Sequence, residues 1–419
     1  MDGTQPAEAE TYDGAIFVQS RPRPRGAGPF APLLTAAGWA GASEKRWGSG
    51  WVVTRAGVLS AAQARSVATS ANDEVALGWS SRLPDVGVTL TKDVRGAVRA
   101  SFQAPELKER PWAAQRVPFV WQRHDPFDKA GFGIAAEHDV PLVMAVHAIL
   151  VDEAAGWGVK RPGWGRWMRT YGEIRLMARS DLIACVSEEV ADLVRVAIPA
   201  RSEDVVVVGS GIDLAHFQSD AAAGADVRAR LGIPPDAFVI GWHGSFRKFH
   251  GLEDFLQAFV LIRPKLPESR VLLVGHGAHR AGLLSLAEEL GIQDSVISPG
   301  EVAFDEMPAF LSAMDVGLTL TDEKQHFHYS PLKLREYQSC GVPVIVSRAG
   351  ELGSLRDRED AMVVEAGDHA ALGDALVELA GSPELRARLA ARGAALVQRE
   401  SWDAKLDELL AALRQRRMV

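Results

Sequence analysis

Residues 316–346 read VGLTLTDEKQHFHYSPLKLREYQSCGVPVIV. A short apolar run (316–320) opens the segment, a polar loop follows, and a β-branched run (342–346) closes it. Between the runs, Ser330 is a good helix N-cap and Pro331 suits the first helical position, so a helix is predicted over 331–340. Strand, helix and strand in that order make a parallel crossover, because parallel strands must be joined by a long connection that is usually helical.

The same alternation extends upstream. A helical pattern places Met307, Phe310, Leu311 and Met314 on one face, preceded by a short strand near Val296, a helix ending at Leu290-Gly291, and a strand at 271–274. Earlier still, a strand at 238–242 leads to a helix that carries Leu252, Phe255, Leu256, Phe259 and Ile262 on one face and stops before Pro264. These elements predict a doubly wound α/β domain over 226–400. Gly232-Ile233-Pro234-Pro235 breaks the chain ahead of it, and the polar, Ala/Gly-rich interval 218–225 is predicted to be the interdomain linker.

In the first half, apolar runs recur at 15–18, 51–53, 117–120, 141–146, 181–186 and 205–208, which predicts a second parallel α/β sheet within a domain over 13–215. Residues 72–109 carry no clear pattern. The last helix, in 401–419, is opened by Ser401 and carries Leu406, Leu409, Leu410 and Leu413; it exceeds what the second sheet needs and is predicted to pack back on the first domain. Two open α/β sheets with their strand C-termini facing each other predict a cleft enzyme.

Composition narrows the function. With 419 residues, two domains are the natural count, and 47% apolar with 24% charged residues is ordinary globular composition. A formal charge of −8 argues against nucleic acid as a partner. Cys185 and Cys340 stand alone inside apolar elements, so neither a disulfide framework nor a zinc site is expected. The N-terminus has no apolar signal core, and the best uncharged run, 140–151, is shorter than the roughly 20 residues that cross a bilayer. A cytoplasmic protein is predicted.

The chemistry concentrates on Lys333 and Glu336. Ser382-Pro383-Glu384 opens a helix with an acid in its first turn, as the helix dipole favours, whereas Ser330-Pro331-Leu332-Lys333 puts a cation there. A cation added to a positive helix end suits a bound anion such as a diphosphate. Glu336 follows one turn later, within reach of a ribose diol. The alternative reading is a solvated helix face on which Lys333 and Glu336 are simply i, i+3 partners.

A wider set of motifs fits the first reading. Gly241-Trp242-His243-Gly244-Ser245-Phe246 leads to His250-Gly251-Leu252-Glu253, then come Leu272-Leu273-Val274-Gly275-His276-Gly277, Gly300-Glu301-Val302, and Pro331 to Gly341 followed by Val342-Pro343-Val344-Ile345. In order and spacing this resembles the retaining GT-B glycosyltransferases grouped with sucrose synthase and the phosphatidylinositol mannosyltransferases. The first half resembles them more loosely, in 181–187 and in Val208-Gly209-Ser210-Gly211-Ile212-Asp213.

The resemblance implies a GT-B fold of two Rossmann-like domains, a nucleotide-sugar donor, and a small-molecule, glycan or lipid-linked acceptor. Glu336 resembles the second acid of the family's paired-acid motif; His328, eight residues earlier, stands where the first acid is usual. Ser245 and His250 replace the family's Arg and Lys in the first loop, with Arg247 and Lys248 offering charge instead. By position the donor is expected at Gly26, Gly28, Gly244, Ser245, Arg247, Lys248, His250, Gly275, Val302, His328, Ser330, Pro331, Leu332 and Glu336. Val302 would offer backbone groups to the nucleobase, and Gly26-Ala27-Gly28 would approach the transferred phosphate. His147 and Lys333 are the expected catalytic residues, and His124 with Asp125 the expected acceptor contacts. Glu153 and Glu173 are further acceptor-side acids.

No cofactor or metal is expected. His326-Phe327-His328 and His276 with His279 lack a third ligand at a recognisable spacing, and there is no Asp-x-Asp pair. Arg161, Arg166, Arg169 and Arg175, interleaved with Trp164, Trp167 and Tyr171, read either as a membrane or anion dock or as a surface helix with snorkelling side chains. Transfer with retention at the anomeric carbon is the expected activity. A nucleotide-sugar epimerase of the same fold and a non-catalytic nucleotide-sugar binder are the alternatives.

Overall fold

A computed structural model describes residues 16–19, 42–47, 50–55, 89–90, 93–94, 118–156, 158–322 and 332–419. Its contacts divide the chain into two units, one running to Val208 and including Leu406–Val419, the other Gly209–Lys405.

In the first unit, strands β1 (Ile16–Gln19), β2 (Ala42–Trp47), β3 (Gly50–Arg55), β4 (Val120–Arg123), β5 (Leu142–Val146), β6 (Leu182–Cys185) and β7 (Val205–Val207) form one sheet. Its order is β2-β3-β1-β4-β5-β6-β7. β5 and β6 are buried at every position, as strands covered on both faces must be, and β1 pairs in parallel with β4. The expected all-parallel sheet is corrected at one edge. β3, which contains the run 51–53, pairs antiparallel with both β1 and β2, and Trp47 lies opposite Gly50. So short a connection forms a hairpin and cannot make a crossover. β2 reads Ala-Ser-Glu-Lys-Arg-Trp, too charged to stand out as a strand. The strand expected at 117–120 starts at Val120 and runs on to Arg123, which brings His124 directly to its C-terminal end.

Helices α1 (Ala130–His138), α2 (Leu150–Gly156), α3 (residues 164–177) and α4 (Glu188–Ala197) belong to this unit. The middle of α3, Met168–Ile174, is π-helical. Fully buried Gln122 shapes the turn from β4 to α1: its Oε1 accepts from the Gly131 N–H at 2.6 Å, and its Nε2 donates to the Asp128 carbonyl at 3.0 Å. From Leu406 on, the chain lies in this unit too, with Leu406, Leu409 and Leu413 buried and Arg416 donating to the Glu203 carbonyl at 2.6 Å.

The second unit is a parallel sheet of β8 (Val239–Ser245), β9 (Arg270–His276), β10 (Val296–Gly300), β11 (Val316–Thr319), β12 (Val344–Ser347) and β13 (Met362–Val364) in the order β10-β9-β8-β11-β12-β13. Numbered within the unit this is the 3-2-1-4-5-6 order of dinucleotide-binding folds, whose switch point falls between β8 and β11. Helices α5 (Ala221–Arg230), α6 (Leu252–Ile262), α7 (Arg280–Glu289), α8 (Met307–Ser312), α9 (Leu332–Ser339), α10 (His369–Gly381), α11 (Pro383–Val397) and α12 (Trp402–Gln415) complete the chain. All five apolar positions expected on the inner face of α6 are buried, and they join Trp242, Phe246 and Leu318 in one core.

The interval 218–225 is not a linker. Asp220 caps α5 by accepting from the Ala223 N–H at 2.9 Å, and Gly224 lies against the Ser312 carbonyl so closely that a Cβ would come within 2.5 Å of it. Alanine, which made the segment look featureless, is the best helix former and needs only that cap.

Candidate functional site

β8 and β9 end side by side with Gly244 opposite Gly275. Gly275 has φ +127°, and a Cβ on it would stand 2.0 Å from the Gly244 carbonyl oxygen, so the strand ends approach this closely because Gly275 lacks a side chain. Across the switch point, α9 delivers Lys333. A Cβ on Gly244 would lie 3.2 Å from Lys333 Nζ, and that ammonium sits 4.6 Å from the centre of the Trp242 ring. Trp242 is fully buried, so the cation rests on a fixed aromatic face.

Glu336 lies one helical turn from Lys333, as the sequence spacing requires, and its side chain is 18% exposed. Burial lowers the Lys333 ammonium to about 7, with Glu336 pulling it back up. Burial likewise raises the Glu336 carboxyl to about 7, with Lys333 opposing. His243 packs edge-on against Tyr337, and its Nε2 lies 3.2 Å from Glu336 Oε2 without making a hydrogen bond. Burial, reinforced by Lys333, takes His243 down to about 3 and keeps it neutral. The cluster therefore holds one cation and one acid that are poorly solvated and close to their neutral forms, the condition in which a bound diphosphate and a ribose diol would supply what the protein withholds.

Neither Trp242 nor His243 was singled out by sequence reasoning, although both stand in the Gly241 to Phe246 motif. Their signal was an aromatic pair ending a buried strand beside a glycine. Ser245, Arg247 and Lys248 follow on an exposed stretch. His250 is buried 5.3 Å from the Trp242 ring, and burial together with Lys333 and Arg247 holds it far below the ordinary histidine range. It stands beside Lys333 as a neutral packing group. Val302 is half-buried and packs against the core that contains Tyr337. Leu332 is 40% exposed at the start of α9, whose first turn carries no acid. Gly26, Gly28, His326, Phe327, His328, Ser330 and Pro331 lie outside the described residues.

In the first unit, His124 and half-buried Asp125 follow β4 directly, and half-buried His147 follows β5. His124 is 5% exposed, and its Nε2 lies 3.1 Å from Glu173 Oε1. The second pair of histidines is engaged elsewhere: His276 Nδ1 lies 3.4 Å from Glu301, and His279 binds Glu253. Arg161 and Trp164 both bond Asp93, Arg169 pairs with Asp152 at 2.7 Å, and Arg175 covers the exposed Tyr171 ring at 4.2 Å. Among the described residues no helix is long and apolar enough to cross a membrane.

Residues 237–382 match the family model for glycosyl transferases group 1, and residues 100–216 match that for glycosyltransferase family 4. The D-inositol 3-phosphate glycosyltransferase of Xylanimonas cellulosilytica is 32% identical over 305 residues, which span 69% of this chain and 70% of the relative. The enzyme of the same name from Streptomyces scabiei is 32% identical over 308 residues, 70% of this chain and 67% of its own. In fold the chain is similar to HepE of Anabaena, solved with UDP, at TM-score 0.58 and 17% identity over 71% of this chain and 79% of that one. It is also similar to sucrose-phosphate synthase of Thermosynechococcus elongatus, at TM-score 0.57 and 21% identity over 73% and 75%. Two α/β units of these topologies are the architecture of a GT-B glycosyltransferase. The chain belongs to the group 1 glycosyltransferases.

Proposed function

We propose that the protein is a retaining, metal-independent glycosyltransferase that takes its sugar from a nucleotide-sugar donor held by the second unit. The observation that carries this reading is the pairing of Lys333 with Glu336 at the switch point between β8 and β11. Lys333 meets the diphosphate, Glu336 accepts hydrogen bonds from the ribose, and the acceptor is bound in the first unit near His124, Asp125 and His147. The acceptor oxygen bonds to the anomeric carbon as the bond to the diphosphate oxygen breaks, and the acceptor proton passes to the leaving diphosphate on the same face. Charge then builds on the leaving group, beside the Lys333 ammonium.

UDP in the complex of HepE and the names of the actinobacterial relatives make UDP-sugars and D-inositol 3-phosphate the first donor and acceptor to test. Donor should be consumed only when an acceptor is present, with product detected by mass. Consumption without an acceptor, yielding an isomeric donor, would identify an epimerase, and binding without turnover a sugar-nucleotide receptor. Initial rates in excess chelator should stay within about twofold of those with added magnesium, since Lys333 and backbone amides meet the diphosphate charge. Loss of turnover in chelator with recovery in magnesium or manganese would sink metal independence.

Nucleotide affinity should follow a bell in pH with its maximum near neutrality. Lys333 binds a diphosphate as its ammonium, which the free protein surrenders as pH rises through about 7, so affinity falls on the alkaline side. Glu336 accepts ribose hydroxyls as its carboxylate, which the free protein loses as pH falls through about 7, so affinity falls on the acid side as well. The two midpoints belong to the interacting pair. Lys333→Ala should remove the alkaline limb and Glu336→Gln the protein's share of the acid limb, read by calorimetry against wild type. Profiles that keep both limbs in both variants would dissociate the pair from the ligand.

A further inference from the structure

Glu173 is wholly buried, and its two oxygens meet three donors. Oε1 accepts from the Leu150 N–H at 2.7 Å and from His124 Nε2 at 3.1 Å, and Oε2 accepts from the Val151 N–H at 3.0 Å. Leu150 and Val151 belong to the segment that follows His147, while His124 ends β4, so one carboxylate ties together the segments leaving β4 and β5. The π-helical stretch Met168–Ile174 supports this reach. Next to Glu173, the Gly172 carbonyl accepts from the Phe127 N–H at 2.8 Å, and the Phe127 ring fills the space where a Gly172 side chain would stand, 2.7 Å from its Cβ position. π-Helical turns are costly and cluster at functional sites.

The other ring nitrogen of His124 has no protein partner. A carboxylate can only accept, so Nε2 carries the proton given to Glu173, and Nδ1 is buried with no hydrogen bond in the free protein. His124 also stands at the switch point of its own sheet, since β3 and β2 lie on one side of β1 and β4 to β7 on the other.

We propose that Glu173 is a positioning residue for the acceptor side of the reaction: it fixes His124 as the Nε2–H tautomer, so that Nδ1 presents a lone pair to an acceptor hydroxyl. This rests on the acceptor lying in the first unit. A lone pair receives a hydrogen bond from an alcohol and repels a phosphate, so the group recognised here is a hydroxyl of a polyol. The hydroxyl held by Nδ1 is one beside the attacking hydroxyl: the hydrogen bond orients the acceptor, while the attacking hydroxyl keeps its own proton for the leaving diphosphate.

The test is nitrogen-15 histidine NMR on the full chain, with the His124 signal assigned by its loss in His124→Ala. At neutral pH wild type should show the Nε2–H tautomer. In Glu173→Leu nothing accepts from Nε2, and the ring should lose its preference for Nε2–H. An Nδ1–H ring in wild type overturns the proposal even if the variant does not fold, and an unchanged tautomer in a folded variant does the same. In turnover assays Glu173→Leu and His124→Ala should each lower acceptor kcat/KM about tenfold or more, with nucleotide Kd within about twofold of wild type and the double variant no worse than the worse single. Independent, multiplicative losses overturn the coupling. Absence of transfer to any acceptor in wild type overturns the functional reading instead, because the tautomer is read without substrate.

Discussion

Lys333→Ala should lower donor kcat/KM about ten- to a hundredfold, the equivalent of the roughly 1.5–3 kcal/mol of a charge-assisted hydrogen bond. Part of the loss should fall on kcat, because the leaving diphosphate gains charge in the transition state and a neighbouring cation stabilises that state more than the ground state. Glu336→Gln should instead raise donor KM, since a ribose contact is alike in both states. Stability should move the other way. The folded state lowers the Lys333 ammonium to about 7, so its protonated form costs stability that is fully lost below that pH and is recovered only as pH rises toward the ordinary lysine value. Lys333→Ala should therefore melt no lower than wild type at pH 7 while binding nucleotide more weakly. Activity within twofold of wild type would remove Lys333 from the site.

A second large effect is expected at Gly275. Gly275→Ala puts a side chain at φ +127°, where a non-glycine residue is strained, and its Cβ would stand 2.0 Å from the Gly244 carbonyl oxygen. That oxygen belongs to backbone and cannot rotate away, so the ends of β8 and β9 must part. Gly244 also lines the Lys333 ammonium, so the opening reaches Lys333 directly. Nucleotide affinity should fall at least about a hundredfold, beyond the loss from Lys333→Ala, and the melting temperature should drop by roughly 2–4 °C per kcal/mol of strain. Gly300→Ala is the control: it has φ +94° but no atom within 4 Å of its Cβ position, so it carries the strain without the overlap. Equal behaviour of the two variants would show that the close approach of β8 and β9 is not what matters.

What the sequence made legible follows physical lines. Much of the second unit was readable because β8, β9, β11 and β12 each contain a continuous apolar run and α6 keeps a clean apolar stripe in Leu252, Phe255, Leu256, Phe259 and Ile262. Lys333 and Glu336 were readable because helical spacing is local: three residues apart fixes one face. β2 was not, since its Glu44, Lys45 and Arg46 carry no apolar signal and its pairing with β3 is set by the short connection between them. α5 was hidden by small residues whose only local clue was the Asp220 cap. The hub role of Glu173 was least accessible. It depends on donors 22, 23 and 49 positions away, and no local rule joins a π-helical turn to the ends of two strands.

The split of the first unit bears on how the protein comes to be made. Leu406–Val419 belongs with the chain that ends at Val208, yet Gly209–Lys405 intervenes. On a ribosome moving at about 5–20 residues per second, those 197 residues occupy roughly 10–40 s, long compared with the milliseconds to seconds in which most domains fold. During that interval the nascent first unit lacks the Leu409 and Leu413 side chains, both buried in the finished protein, and the partner that Arg416 gives the Glu203 carbonyl. The first unit is thus complete only when the last helix has been made, after the whole of the second unit.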